Sequence, residues 1–490
     1  MSKRIRVIAC CLLVAFSLPT YGAEKYDVVI QNGRVIDPES GLDGVRNVGI
    51  RGATIARVST DKLEGARVIE ARGLVVAPGF IDLHQHQHDL ESYQLKALDG
   101  VTTALELESG VPDFARFVEV RRDKTPINFG ASASHIAARL KAWNLPLPST
   151  ALGAESAISA ASGPATNDPA SADQLKLILA TIKAQLVGGA LGIGIGLEYT
   201  PGATRQEVIA LLRLASEHRH PVFVHLRSGG PIEPGSSIES VNEIAGAAAI
   251  TGASVHIMHI NSQCMREALE CLSMIDGLRA RGLDVTTEAY PYGEAMTFVS
   301  SAFFNPGWQE KRSITYNDLE LPDTHKRLTR ETFDALRVAR DPQPVVIHLN
   351  PEEVVTTSIQ YPGVIVASDG LRPHPRNAGT FSRVLARYVR NQKTLTLSEA
   401  IGKMSLLPAR RLESATSAAR RKGRLQEGVD ADIAVFDPNT IQDNATFVEP
   451  VKASTGMRYV FVAGTLVVDN GKLTKNKPAG RAFVADEVAR

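Results

Sequence analysis

The chain has 490 residues, of which 54 are Lys or Arg and 53 Asp or Glu, and 44% are hydrophobic. That composition excludes a disordered chain, which would be poorer in apolar residues and less neutral. A formal charge of +1 excludes a nucleic-acid partner on electrostatic grounds, and the length suits one large domain with a smaller companion, or two to three domains.

Residues 1–22 read as a removable export leader. Lys3, Arg4 and Arg6 form a basic start, Val7 to Leu18 an apolar run, and Gly22 a small residue at the cleavage point. Export to the periplasm or medium is therefore expected. Removing the leader takes three basic residues and no acidic one, and shifts the net charge to −2. No other stretch is long and apolar enough to anchor the chain in a membrane. Cys10 and Cys11 leave with the leader. Cys264 and Cys271 fall on one expected helix, roughly 10 Å apart, too far for a disulfide; they are expected to be packed, unreactive thiols.

After the leader, short β-rich runs alternate with turns. Val28-Val29-Ile30 precedes Asn32-Gly33, a hairpin signal. The C-terminal end repeats the pattern in Ile433 to Phe436, Tyr459 to Val462 and Leu466 to Val468. Residues 23–78 and 416–490 are thus expected to be halves of one small β domain. Between them, strands are expected at 79–84, 101–108, 127–133, 191–197, 222–225, 254–259, 283–288 and 364–368. Helical apolar spacing appears at 172–186, 204–217, 236–250, 264–280 and 380–389. Eight buried strands separated mostly by helices predict a (β/α)8 barrel over 79–415. Gly192, Gly194 and Gly196 alternate within a strand and open no helix, so they mark close packing rather than a phosphate loop. The Ala-, Ser- and Pro-rich segment 146–169 is expected to be a surface excursion.

His84 and His86 sit near the end of the first expected barrel strand, on one face by period-two geometry. Two imidazoles so placed can share a metal ion. His225, His259 and Asp369 likewise fall at the C-terminal ends of later strands. In a barrel those ends converge on one mouth. A set of four histidines and one aspartate there suits zinc or another divalent ion. His256 has the opposite parity to His259, and His88, His218, His220, His325 and His348 read as packing or surface residues.

The order of these motifs resembles the metal-dependent amidohydrolase superfamily, and within it the D-aminoacylase (N-acyl-D-amino-acid deacylase) branch. The resemblance rests on Ala77-Pro78-Gly79-Phe80-Ile81-Asp82, Gly100-Val101-Thr102-Thr103, Glu288-Ala289-Tyr290-Pro291-Tyr292, Ser368-Asp369-Gly370-Leu371 and His374-Pro375-Arg376. It covers nearly the whole chain after the leader. It implies a barrel inserted into a β-sandwich made by both termini, with His84, His86, His225 and His259 as metal ligands. It implies Asp369 as acid and base beside a metal-activated water, and hydrolysis of an amide in a small molecule. His135 matches a family histidine, with a structural and a substrate-contacting role both open. Homo-oligomers are common in that family.

Two departures from the family pattern stand out. D-aminoacylases place a cysteine at the end of strand two, where this chain has Glu106-Leu107-Glu108-Ser109. Serine replaces a thiolate poorly, so Glu108 is expected to be the added ligand, with Glu106 as the alternative and one or two ions per chain open. No lysine lies in 191–200 to supply a carboxylated ligand. The family also carries a lysine two residues after the sixth-strand histidine, where this chain has Asn261. Arg227, Arg376, Asn261, Tyr199, Tyr290 and Tyr292 are then the expected substrate contacts. The expected reaction is metal-assisted amide hydrolysis by an N-acyl-amino-acid deacylase. A dipeptidase or cyclic amidase is the alternative within that chemistry, and a non-catalytic exported metal- or ligand-binding protein the alternative outside it.

Overall fold

The structure is a computed structural model that describes residues 25–147, 161–475 and 478–487. The expected leader lies outside those residues, as do residues 148–160 of the expected excursion. The described end of that excursion turns inward: Ala165 and Thr166 of the short helix Pro164–Asn167 are buried.

Eight strands pair in chain order in one sheet: Phe80–Asp82, Val101–Val111, Asn128–Ser134, Ile193–Gly196, Val222–His225, Val255–Ile257, Val285–Ala289 and Val364–Val366. Every neighbouring pair is parallel. The strands are short, apolar and buried on both faces, because helices cover one side and interior side chains fill the other. Each coincides with a strand expected from the sequence, and the fold is the expected barrel.

The barrel closes between its eighth and first strands. Gly370 N donates to His84 O at 3.1 Å, and His86 N to Gly370 O at 2.9 Å. Asp82 locks this seam. Its Oδ1 accepts from Ser368 N and His84 N, and its Oδ2 from Ser368 Oγ at 2.6 Å. Lys96 Nζ lies 2.7 Å from the same Oδ2, and neither side chain is exposed. Closure therefore fixes Asp369 beside His84 and His86 before any side chain is chosen.

Both chain ends share one nine-stranded sheet. Val75–Pro78 pairs antiparallel with Ile433–Phe436, and Ile30, Val48, Ile69, Val435 and Phe461 meet in one apolar cluster. A third sheet has no counterpart in the sequence patterning. Glu294–Phe298, Leu319–Glu320 and Pro344–His348 pair antiparallel between the seventh and eighth barrel strands. Phe303, Phe304, Trp308 and Phe333 pack beneath it, and the whole insertion caps the mouth.

One expected helix is broken. Ile260–Cys264 gives way to a turn of 3₁₀ helix at Met265–Glu267 before Ala268–Ala280 continues. The break brings Cys264 within hydrogen-bond reach of Cys271, closer than a continuous helix allows, and burial pushes the Cys264 thiol up. Both thiols are free and buried.

Removing Lys96 would leave the Asp82 carboxylate buried without a cation. Lys96→Ala is expected to cost about 3–5 kcal/mol of stability, read as a lower denaturation midpoint than that of the exposed control Lys62→Ala. Equal midpoints would remove this pair from the supports of the seam.

Candidate metal centre

Strand two carries Glu108, the expected added ligand. Its register against strand three shifts between Glu106 and Val111, and Gly110 adopts φ +65°. A Cβ at Gly110 would meet Ser134 N at 2.7 Å, so only glycine suits this bulge. Across the strand, a Cβ at Gly194 would lie 2.4 Å from Glu108 O. The alternating glycines thus do what the sequence suggested: they let strand four press against the backbone of Glu108. The bulge and the close approach together set the Glu108 carboxylate in the mouth.

The carboxylate has histidines on both sides. His84 Nε2 and His86 Nε2 lie 3.0 Å apart. Glu108 Oε2 is 3.3 and 3.2 Å from them, and Asp369 Oδ1 is 3.4 and 3.3 Å. A tetrahedron of ligands about 2.0–2.1 Å from zinc has edges of about 3.3–3.4 Å. On the other side, Glu108 Oε1 is 2.8 Å from His225 Nδ1 and 2.7 Å from His259 Nε2. The two oxygens of one carboxylate therefore face two donor sets. The first set fits zinc in type and spacing, with His84, His86, Asp369 and Glu108 Oε2 to hold one ion; His225 and His259, each at hydrogen-bond distance from Glu108 Oε1, are with it donors of the right type for a second.

The ring nitrogens turned away from this centre are also engaged. Glu288 Oε1 is 2.6 Å from His84 Nδ1, Glu106 Oε2 is 2.7 Å from His86 Nδ1, and Ser262 Oγ is 3.0 Å from His259 Nδ1. His225 Nε2 faces Glu198 Oε2 at 2.9 Å. Such partners fix the orientation of a metal-binding imidazole. His256, off the ligand face as its parity required, braces Glu288 at 3.1 Å. His259 and Asp369 both hold positive φ, +23° and +50°, a strained backbone of the kind that clusters at active sites.

The electrostatics favour added positive charge. Glu106, Glu108, Glu198, Glu288 and Asp369 are all buried, and the guanidiniums paired with them are those of Arg312, on Glu198, and Arg376, on Asp369. Burial opposes a charge on His84, yet Glu108, Asp369 and Glu288 raise it to about 10. Burial would raise Glu288, but His84 and His256 bring it down to about 2. Asp369 is likewise held low against burial by Arg376 and His84. Carboxylates that draw protons onto His84 and His86 so strongly are ones that a divalent ion would stabilise.

The cavity is lined by His86, Glu108, His225, His259 and Asp369 on its floor and by Tyr199 at its side. Its roof was not anticipated: Met296, Phe298, Phe303, Ile347 and Leu349 come from the cap and Leu371 from the loop after strand eight. Of the expected substrate contacts, only Tyr199 lines this cavity, its hydroxyl 3.0 Å from Thr297 Oγ1. Arg227 lies past the strand end, where Glu243 takes its guanidinium at 2.6 and 2.7 Å. Asn261 bonds the Tyr290 carbonyl at 3.2 Å. Tyr292 packs on Arg383 and His374. Tyr290 backs Arg376, whose Nη1 reaches Asp369 Oδ2 at 2.9 Å. His135 has a structural placement: with Arg139 it binds Glu207, and Arg139 ties down the Ala165 and Asp168 carbonyls. Glu198, Ser262, Gln263 and Arg312 had no sequence signal, since none lies in a metal-ligand spacing.

An eight-stranded barrel with histidines and one two-sided carboxylate at its strand ends defines a metal-dependent hydrolase. The chain belongs to the amidohydrolase family, whose model matches residues 136–468, and it acts on carbon–nitrogen bonds other than typical peptide bonds. It is 31% identical to an N-acyl-D-glutamate deacylase of Alcaligenes xylosoxydans xylosoxydans, covering 91% of this chain and 94% of that one. Its fold matches an N-acyl-D-glutamate deacylase from Bordetella bronchiseptica, solved with zinc and a phosphonate inhibitor that mimics the tetrahedral intermediate. The TM-score is 0.78 at 26% identity, over 94% and 100% of the two chains. A D-aminoacylase with a binuclear metal centre matches with TM-score 0.77 and 25% identity, over 93% and 99%.

The geometry separates the two glutamates. Glu108→Gln is expected to lower bound zinc by at least one ion per chain after dialysis. Glu106→Gln should keep the number of ions and weaken their affinity about 10–100-fold, as loss of an orienting partner does. The reverse pattern in metal analysis would exchange their roles.

Proposed function

We propose that this chain is a zinc-dependent deacylase of N-acyl-D-amino acids, with a preference for apolar side chains. The observation that carries the reading is the Glu108 carboxylate set between two histidine pairs, with Asp369 against one of them, under an apolar roof. The similarity to N-acyl-D-glutamate deacylase and D-aminoacylase supports the reaction class and the D configuration.

His84, His86, His225, His259, Glu108 and Asp369 would hold the ions. When bound, zinc polarises the amide carbonyl and lowers the pKa of water. Asp369 receives the proton of that water and passes it to the leaving nitrogen, as general base and then general acid. Arg376 holds Asp369 Oδ2 at 2.9 Å and so fixes the orientation of the carboxylate beside His84 and His86.

The side-chain preference follows from the cap. No lysine or arginine among the described residues lines the cavity. The nearest cation of the cap, Arg312, lies under the Phe303 ring at 3.9 Å and pairs with Glu198. A second carboxylate on the substrate would be buried without a partner, which is costly.

A panel of N-acetyl-D and L amino acids, dipeptides and hydantoins tests the reading. Expected kcat/KM for N-acetyl-D-methionine or D-leucine exceeds that for N-acetyl-D-glutamate by about 100-fold or more. Asp369→Asn is expected to lose about 10²–10⁴ in turnover. Equal use of acidic substrates would overturn the preference. Turnover of dipeptides or hydantoins alone would replace the substrate class, and no turnover at all would favour a binding protein.

The reading also includes export. Purified protein from a bacterial host is expected to begin near Ala23, and intact Met1 on N-terminal sequencing would remove the leader.

A further inference from the structure

His225 is turned the opposite way from the other three histidines. They present Nε2 to the centre, whereas His225 presents Nδ1 to Glu108 and directs Nε2 at Glu198. A neutral imidazole carries one proton, and the other nitrogen is the one that can bind a metal. Carboxylates only accept, and His225 has one on each side, Glu108 Oε1 at 2.8 Å from Nδ1 and Glu198 Oε2 at 2.9 Å from Nε2; with Glu108 Oε1 given to an ion, Glu198 would hold the proton on Nε2 and leave the Nδ1 lone pair to the same ion. Gln263 reaches the same nitrogen at 2.8 Å and would favour the opposite tautomer by donating its amide hydrogen. The bond to a carboxylate is charge-assisted and roughly twice as strong, so Glu198 prevails.

Glu198 is itself held from outside the barrel. Its Oε1 pairs with Arg312, at the end of the cap helix Trp308–Arg312. Both side chains are about 95% buried, with relative exposures of 4% and 5%, and Phe303 covers the guanidinium. The partners of His84, His86 and His259 stand on barrel strands or on the helix directly after one. Glu198 alone is secured by the cap.

We propose that Glu198, clamped by Arg312, is a positioning residue for the second metal ion: it selects the His225 tautomer that frees Nδ1. The cap thereby serves the second ion and not the first. This rests on His225 being an ion ligand, as the proposed function has it, but not on the substrate.

The test is zinc binding to the full-length protein, stripped and reconstituted, without substrate. Wild type is expected to bind two ions in a competitive chelator titration. Glu198→Gln should weaken the second ion about 10–100-fold and leave the first within about 2-fold, so that limiting zinc yields one ion per chain. Arg312→Met should do the same, and Arg312→Lys should restore most of the second affinity. A buried partner left unpaired is expected to lower the melting temperature of the metal-free protein, so the readout that a merely structural role would not give is the selective weakening of one ion with the other kept. Equal weakening of both ions, no weakening, or a single ion in wild type would each overturn the proposal. Should Arg312→Met fail to fold, Glu198→Gln and Arg312→Lys decide it. A selective loss in a protein that hydrolyses no acyl-amino acid would uphold the positioning role and overturn only the substrate reading.

Discussion

A carboxylate with only 4% of its residue surface exposed, at the convergence of four imidazoles, is the constraint around which this molecule is arranged. Glu108 has two oxygens, and each meets a different pair of histidines. Burying such a charge is unfavourable unless cations or donors satisfy it. The fold places them at the ends of three separate strands, the first, fifth and sixth. The bulge at Gly110 aims the side chain, and the bare Gly194 lets the neighbouring strand close on its backbone. The seam locked by Asp82 and Lys96 brings Asp369 against His84 and His86.

Around that carboxylate the polar groups form two layers. The inner layer offers donor atoms at the spacing of a zinc tetrahedron. The outer layer of Glu288, Glu106, Ser262 and Glu198 holds the rings that carry them. In a metal site the two layers differ in what they tolerate: loss of a ligand costs the ion, whereas loss of an outer partner alters orientation and affinity. The excess of buried carboxylates over guanidiniums makes the arrangement unfavourable without divalent ions. Metal and fold are thus coupled at the mouth.

The cap covers this chemistry. It roofs the cavity with Met296, Phe298, Phe303, Ile347 and Leu349, and its buried cation pairs with Glu198. Two sequence-based substrate contacts fail for one reason. Arg227 and Asn261 follow strand-end histidines at the right parity, but the chain leaves the strand there, and Glu243 and the Tyr290 carbonyl are within reach. Parity predicts a face only while the strand lasts.

The sequence by itself determined the barrel, because eight buried strands need continuous apolar runs and helices between them need a 3.6-residue period. It also determined the histidines and Asp369, since a polar residue ending an apolar run marks a strand end at the mouth. Glu106 and Glu108 were visible as a pair, because two carboxylates on one strand face are unusual. Which of them faces the centre was decided only by the bulge after Glu106, a feature that depends on contact with strands three and four. The tertiary structure alone decided the cap, whose short strands show little periodicity. It alone set the Glu198–Arg312 clamp, which joins residues 114 positions apart in sequence. Local pattern records what each segment must bury; which side chains then meet depends on how distant segments pack, and no window of sequence contains that.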